Sequence, residues 1–249
     1  MNVYGLIGYP LEHSFSKKYF TKKFGNEKRA DCRFELFPLE AVSLLPELLN
    51  WQEGLKGLSV TIPYKETVMP YLSFIQQEAK EVGAVNSIKI KGQILSGYNT
   101  DIVGFERSFS PLLRSNHKKA LVLGSGGASK AVQYVLRKLN IPYLIVSRRN
   151  QTHSDMISYS GLNEKIIREY PVIINTSPIG MFPDSSACPA IPYQFLNDKN
   201  FLFDLIYRPD TTRFLELGKA QGALIKNGYE MLIIQAEASW KIWNDLTLE

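Results

Sequence analysis

The sequence predicts an α/β fold built in two successive runs. Three observations carry the prediction. Apolar stretches of strand length alternate with stretches of helical period along nearly the whole chain. One polar loop, Arg-Ser-Asn-His-Lys-Lys at 114–119, interrupts the pattern, which then starts again. The second run opens with an apolar strand that leads straight into a glycine-rich turn and a helix.

In the first run, residues 3–7 read as a strand ended by Gly8 and Pro10, and 16–23 as a helix. Residues 33–37 alternate as a strand does. Residues 40–50 have helical character with Pro46 early in the helix or at a kink. A strand at 55–62 stops at Pro63, and a helix is expected over 65–71. The segments 84–90 and 94–100 form a hairpin around Lys91-Gly92. A helical stretch then reaches residue 113. The second run reads as strand 120–123, glycine turn, helix 128–139, strand 143–147 and a helix near 153–160. Strands at 172–175 and 201–205, a helix at 211–221, a strand at 223–226 and a long helix at 229–244 complete it.

The 249 residues suffice for one large domain or two ordinary ones. The apolar share of 45% and charged share of 21% are those of a globular protein, which excludes a disordered chain or a fibre. The net charge of +5 comes from scattered pairs such as Lys17-Lys18, Lys118-Lys119 and Arg148-Arg149. Scattered pairs read as solvated helix faces rather than a nucleic-acid surface, and a mild positive field favours anionic small molecules. The two cysteines, Cys32 and Cys188, are far apart, and His13, His117 and His153 are isolated, so neither a disulfide framework nor a metal site is expected. No apolar run approaches the length of a membrane span, and the first residues lack a basic start followed by an apolar stretch. These features predict a reduced, cytoplasmic compartment.

The strongest local signal is Ala-Leu-Val-Leu-Gly-Ser-Gly-Gly-Ala-Ser at 120–129. Gly124, Gly126 and Gly127 permit a tight turn and close approach of backbone to a phosphate. The following helix supplies free N–H groups and a favourable dipole for a pyrophosphate. The spacing departs from the full Gly-x-Gly-x-x-Gly, but strand, turn, helix and second strand fall in the order a dinucleotide site needs. At the end of the second strand an NAD site carries an acidic residue for the ribose hydroxyl. This chain instead has Ser147-Arg148-Arg149-Asn150. Arginine presents a planar fork of donors suited to a 2′-phosphate, which points to NADP.

Lys65 and Asp101 each stand at a strand's C-terminal end, where open α/β sheets place their binding crevice. Hydride transfer to a carbon bearing oxygen needs a partner for the oxygen's proton, and a lysine–aspartate pair supplies one.

At this point the sequence resembles the shikimate dehydrogenase family along nearly its whole length. Eight ordered blocks carry the resemblance: 8–16, 58–65, 83–87, 97–101 and 124–129, then Asn-Thr-Ser-Pro-Ile-Gly-Met at 175–181, 204–215 and 228–243. The resemblance implies NADPH-dependent reduction of 3-dehydroshikimate to shikimate, a step towards aromatic amino acids. It also implies a split N-terminal α/β substrate domain, 1–102 with 229–249, and a Rossmann-like NADP domain, 103–228, with the active site in the cleft between them. Carried over motif by motif, Ser14 and Ser16 bind the substrate carboxylate, with Tyr207 at the same end. Thr61, Asn86 and Gln235 bind the ring hydroxyls, and Lys65 and Asp101 are the catalytic pair. Gly124, Ser125, Gly126, Gly127, Ala128 and Ser129 hold the pyrophosphate. Ser147, Arg148 and Arg149 hold the 2′-phosphate. Thr176, Ser177, Gly228 and Met231 lie near the ribose and nicotinamide. Taken singly, Ser14, Ser16, Asn86 and Gln235 read as caps, turn residues or partners of backbone groups. Within the ordered blocks they read as ligands.

The chain departs from the family pattern in three places. Ser59 stands where the family commonly has Asn, Lys17 where it has Pro, and Ser147-Arg148-Arg149 where it has Asn-Arg-Thr. The first two leave substrate choice open and the third the details of phosphate contact. Competing readings are a sister enzyme that also takes quinate, with NAD or NADP, and a catalytically inactive metabolite- or nucleotide-binding paralogue. Another two-domain dehydrogenase, of the methylenetetrahydrofolate type, is disfavoured by the substrate motifs at both ends. Partners are expected to be small molecules, with neither nucleic acid nor membrane, and the chain a monomer or a homodimer. Either Lys65 or Asp101 delivers the proton.

Overall fold

A computed structural model of the chain describes residues 1–11, 14–148 and 155–246. The chain forms two compact units, one of Met1–Thr100 with Ala236–Glu249, the other of Asp101–Gln235.

The first unit runs β1 (Asn2–Gly8), α1 (Phe15–Asn26), β2 (Cys32–Pro38), α2 (Leu45–Trp51), β3 (Leu55–Val60), α3 (Tyr64–Thr67), β4 (Phe74–Ile75), α4 (Gln77–Val82), β5 (Ser87–Lys91) and β6 (Ile94–Tyr98). Its sheet has the order β2-β1-β3-β5-β6-β4. β1 lies parallel to both β2 and β3, whereas β5 runs antiparallel to β3 and β6. β1 is covered on both faces, which is why it reads as a continuous apolar run, while β2 at the edge alternates, with Cys32 and Phe34 buried and Arg33 exposed. Ile7, Leu45, Leu48, Leu58, Val60 and Tyr64 fill one core. Tyr4, Phe20, Phe24, Phe34, Trp240 and Trp243 fill the other. In the second core Phe20 stacks on Phe34 with ring centroids 4.7 Å apart, and Tyr4 meets the edge of Trp240 at 5.0 Å. Gly57 makes this packing possible: a Cβ there would stand 2.4 Å from Trp243 Cγ, so β3 passes bare backbone beneath the indole.

Two helices carry the chain from one unit to the other: α5 (Thr100–Phe109) begins at the boundary, and the last helix of the chain crosses it between Gln235 and Ala236. The second unit continues with β7 (Ala120–Leu123), α6 (Gly127–Lys138), β8 (Tyr143–Ser147), β9 (Met156–Ser158), α7 (Glu164–Glu169), β10 (Val172–Asn175), β11 (Phe201–Asp204), α8 (Arg213–Ala220), β12 (Leu224–Lys226) and α9 (Tyr229–Trp243). Its six strands are all parallel, in the order β12-β11-β10-β7-β8-β9. Counted from β7 as the first strand, this is the doubly wound 3-2-1-4-5-6 order, and the direction of winding reverses between β7 and β10. β7, β10 and β11 are buried at every position, as central parallel strands are. Ala131, Val132, Val135 and Leu136 form the buried stripe of α6. Phe105 and Phe109 of α5 stack on each other and pack against Phe203, and Phe109 also stacks on Phe201.

Several expectations are refined. The helix expected over 40–50 is a 3-10 turn, Val42–Leu44, followed by α2, with Pro46 in the first turn where its missing N–H costs no hydrogen bond. The helix expected near 153–160 is corrected. Met156–Ser158 is an edge strand in register with Ile145, Val146 and Ser147, followed by a 3-10 turn at Tyr159–Gly161. A three-residue strand is too short to show an alternating pattern, and its partner strand decides it; residues 153 and 154 lie outside those described. The two short helices α4 and α7 carry no long period, and their caps define them: Gly83 in the left-handed conformation ends α4, and the Asn163 side chain accepts from the Ile166 N–H at the start of α7. Among the described residues no helix is long and apolar enough to cross a membrane.

Candidate active site

The glycine turn lies at the switch point of the second sheet. β7 ends at Leu123, and Gly124 follows with φ +111°, a conformation closed to ordinary side chains. A Cβ there would also stand 3.0 Å from the Thr176 hydroxyl. Gly126 is the N-cap of α6, with no side-chain cap on the helix. Its φ of −79° does not require glycine, and a Cβ would meet nothing within 4 Å. The protein itself therefore does not demand glycine at this position. The missing side chain leaves open space over an uncapped helix N-terminus, which fits a pyrophosphate. Gly124 to Ala128 form the rim. Ser129 is different: its fully buried hydroxyl donates to the Gly124 carbonyl at 2.9 Å and accepts from Gln133 Nε2 at 2.8 Å. It shapes the turn from within.

β10 ends beside this turn. Thr176 donates to the Leu123 carbonyl through both its N–H (3.0 Å) and its hydroxyl (2.8 Å). Ser177 gives its N–H (3.1 Å) and its hydroxyl (2.7 Å) to Asn175 Oδ1. Ser147 is buried at the end of β8, and Arg148, next in the chain, is exposed. Arg149 lies outside the described residues. Gly228 is held by its N–H to the Ile206 carbonyl at 3.0 Å, and a Cβ there would fall 2.1 Å from the Leu205 oxygen. Met231 is buried in the first half of α9, and Tyr207, half-buried, has its phenol pushed up by burial.

Sequence reasoning left two residues of this region without a role, Asn175 and Asp204. The Asp204 carboxylate is completely buried. It accepts from Asn175 Nδ2 (3.0 Å), the Ile206 N–H (3.0 Å) and the Thr212 hydroxyl (2.6 Å). Burial without a charged partner among these donors pushes its pKa up to about 6. Both residues sit inside blocks that carry the family resemblance, which was the available signal.

In the first unit, backbone pairing gathers Thr61, Lys65 and Asn86 at one end of the sheet. The Thr61 N–H donates to the Ile7 carbonyl at 3.0 Å, so Thr61 follows β3 beside the end of β1. Lys65 lies in α3, and its carbonyl accepts from the Val85 N–H at 2.7 Å. Asn86 is clamped between strands, its carbonyl accepting from Val60 (2.8 Å) and its N–H donating to Tyr98 (3.0 Å). The antiparallel run of β5 brings its start, and hence Asn86, to the C-terminal end of β3. Asn99 donates through its side chain to the Ala84 carbonyl at 2.9 Å, which closes the end of the hairpin. Ser14 is the N-cap of α1 and accepts from the Lys17 N–H at 3.4 Å; Ser16 lies in the first turn. Ser59 faces Ser87 across β3 and β5, and the fully buried Ser87 hydroxyl has no hydrogen-bond partner among the described residues.

Asp101 occupies the first turn of α5 and is 8% exposed. Gln235 of α9 donates to the Leu232 carbonyl at 3.0 Å. Gly104 lets α5 and α9 approach closely: a Cβ there would lie 2.7 Å from the Met231 oxygen and 3.0 Å from Gln235 Cβ. Lys65 belongs to one unit, and the glycine turn to the other. Among the described residues no group of three or more His, Cys, Asp or Glu is placed to hold a metal ion.

A doubly wound sheet with an open glycine turn at its switch point, following an α/β unit that gathers a lysine and hydrogen-bonding side chains at one end, defines a two-unit α/β protein of the dinucleotide-binding class. Residues 6–88 match the family model described as the shikimate dehydrogenase substrate binding domain. The chain belongs to the shikimate dehydrogenase family. It is 38% identical to a protein of Clostridium beijerinckii named shikimate dehydrogenase (NADP(+)), over 100% of this chain and 94% of the relative. A crystal structure of shikimate dehydrogenase 1 from Peptoclostridium difficile superposes with a TM-score of 0.86 at 34% identity, covering 100% of this chain and 94% of that one. The Thermus thermophilus enzyme, solved in complex with NADP(H) and shikimate, superposes with a TM-score of 0.85 at 27% identity, over 99% and 94% of the two chains.

Proposed function

We propose that this protein catalyses the reversible, NADPH-dependent reduction of 3-dehydroshikimate to shikimate. The observation that carries the reading is the glycine turn at the switch point, open above Gly126 and uncapped at α6. The curated relatives named NADP-dependent shikimate dehydrogenases support the choice of substrate and cofactor.

Residues 1–102 with 229–249 are the proposed substrate-binding part and 103–228 the proposed cofactor part. Bound NADPH supplies the hydride that reaches the carbonyl carbon of the ring ketone. Lys65 donates a hydrogen bond to that carbonyl oxygen and stabilises the alkoxide that develops there. Lys65 or Asp101 gives the oxygen its proton, and the buried position of Asp101 favours such an exchange over loss to water. Ser14, Ser16 and Tyr207 hold the carboxylate, and Thr61, Asn86 and Gln235 read the hydroxyls by directed hydrogen bonds. A site of this kind rejects an analogue that lacks one hydroxyl, because its own polar groups are then left unpaired. Arg148 and Arg149 attract the 2′-phosphate. A small, polar, anionic substrate agrees with the net charge of +5. We further propose a cytoplasmic enzyme, monomeric or homodimeric, that does not bind nucleic acid; the free thiols of Cys32 and Cys188 support a reducing compartment.

The test is a paired steady-state assay of oxidation of shikimate and of quinate, each with NADP and with NAD. Strong preference for shikimate with NADP is expected. Comparable turnover of quinate or of NAD would move the chain to the sister activity and turn attention to Ser59 and Ser147. Ligand binding without turnover would remove the catalytic roles of Lys65 and Asp101.

A further inference from the structure

We propose that Asp204 is a positioning residue for the dinucleotide, acting through Asn175 on the turn that carries Thr176 and Ser177; the inference rests on the functional reading above. Asp204 closes β11, the neighbour of β10 on the side away from the glycine turn. Its carboxylate is completely buried, and the three groups that donate to it come from three places in the chain. The Ile206 N–H shapes the segment leading to Tyr207. The Thr212 hydroxyl also caps α8, accepting from the Leu215 N–H at 3.4 Å. Asn175 Nδ2 belongs to the end of β10 and is shared with the Ile179 carbonyl at 3.3 Å.

The link to the dinucleotide turn lies in the orientation of the Asn175 amide. A carboxylate accepts only, so it selects the NH2 end of Asn175 and turns the amide oxygen the other way. That oxygen receives both the N–H and the hydroxyl of Ser177. Thr176, between Asn175 and Ser177 in the chain, has its hydroxyl on the Leu123 carbonyl, at the point where a Cβ on Gly124 would touch it. The polarity of one buried carboxylate thus favours the orientation of the Asn175 amide in which its oxygen accepts from Ser177. A neutral amide at 204 keeps the volume but is no longer an acceptor only, so the Asn175 amide loses its charged anchor and is held in this orientation by the Ile179 carbonyl and the Ser177 N–H alone.

The test compares Asp204→Asn, Asn175→Ala and Thr212→Val with the parent chain. Direct titration with NADP and steady-state oxidation of shikimate are both measured, with thermal unfolding alongside. Asp204→Asn is expected to raise Kd and KM for NADP about tenfold, with kcat and the KM for shikimate changed less than threefold. Asn175→Ala breaks the same link from its other end and is expected to do the same, so it carries the test if Asp204→Asn does not fold. Thr212→Val removes a bond to the same carboxylate away from Asn175. It is expected to lower the unfolding temperature and leave the NADP Kd within twofold. Unchanged NADP binding in folded Asp204→Asn or Asn175→Ala would overturn the proposal, as would a Thr212→Val effect on NADP equal to theirs. A parent chain that binds NADP without oxidising shikimate would sink the functional reading alone, because the Kd comparison still decides the role of Asp204. A parent chain that does not bind NADP would sink both.

Discussion

Asn86 and Thr100 hold each other by buried hydrogen bonds: the Thr100 N–H donates to Asn86 Oδ1 at 2.7 Å, and Asn86 Nδ2 donates to Thr100 Oγ1 at 3.0 Å. The Thr100 hydroxyl also lies 3.1 Å from Ser239 Oγ. Asn86 therefore fixes the first residue of α5, immediately before Asp101, whatever it does for a substrate.

Asn86→Ala should leave the Thr100 N–H buried without this acceptor, which costs about 1–3 kcal/mol. Urea unfolding should register that loss, and kcat should fall with it because Asp101 is no longer held. An unchanged unfolding midpoint with a raised KM for shikimate would make Asn86 a substrate ligand and nothing more.

For Lys65→Ala the expectation is different. Removal of a group that acts on the developing alkoxide should lower kcat by roughly 10²–10⁴-fold. KM should change far less, because the interaction strengthens only in the transition state. The bond between the Lys65 carbonyl and the Val85 N–H is retained in the variant, so α3 should still fold. A large rise in KM with kcat intact would reduce Lys65 to a binding residue.

Arg148 stands exposed directly after β8. Arg148→Ala should raise the KM for NADP about tenfold, the loss of one charge-assisted phosphate contact worth about 1.4 kcal/mol. The KM for NAD, which lacks the 2′-phosphate, should hardly move. Equal effects on the two cofactors would show that the arginine does not read that phosphate.

Burial raises Asp204 from an ordinary 3.8 to about 6, so the folded state holds this proton more tightly than the unfolded chain does. Its contribution to stability is then fully present below pH 4 and is lost as the pH rises through 6, a difference of roughly 3 kcal/mol. Asp204→Asn does not titrate. Its stability relative to the parent should therefore improve between pH 4 and pH 7.5 in denaturant titrations. A relative stability that is flat across that range would mean that the carboxylate is ionised without penalty in the fold.

Much of the architecture is legible because it is written locally. The apolar runs of β7, β10 and β11 need no alternation, since both faces are buried, and Pro46 and the glycine turn mark ends by their own backbone preferences. The short strand β9 escapes such a reading because three residues carry no period, and only pairing with β8 makes them a strand. Ser14 shows the limit at the site: a serine before a helix looks the same whether it caps the helix, binds a carboxylate or does both, and the fold adds that it caps α1.

By itself the sequence determined the order of the longer strands and helices, the dinucleotide turn with its arginine-bearing strand end, and the family, through eight ordered blocks. Tertiary structure alone decided which polar groups meet. Asn175 and Asp204 are 29 residues apart and share a bond only because β10 and β11 lie side by side in register. Gly57 is required only because an indole from the far end of the chain rests on it. Local preferences follow from the dihedral and solvation properties of each residue. The partner of a buried polar group follows from which elements pack together, and packing is a property of the whole chain.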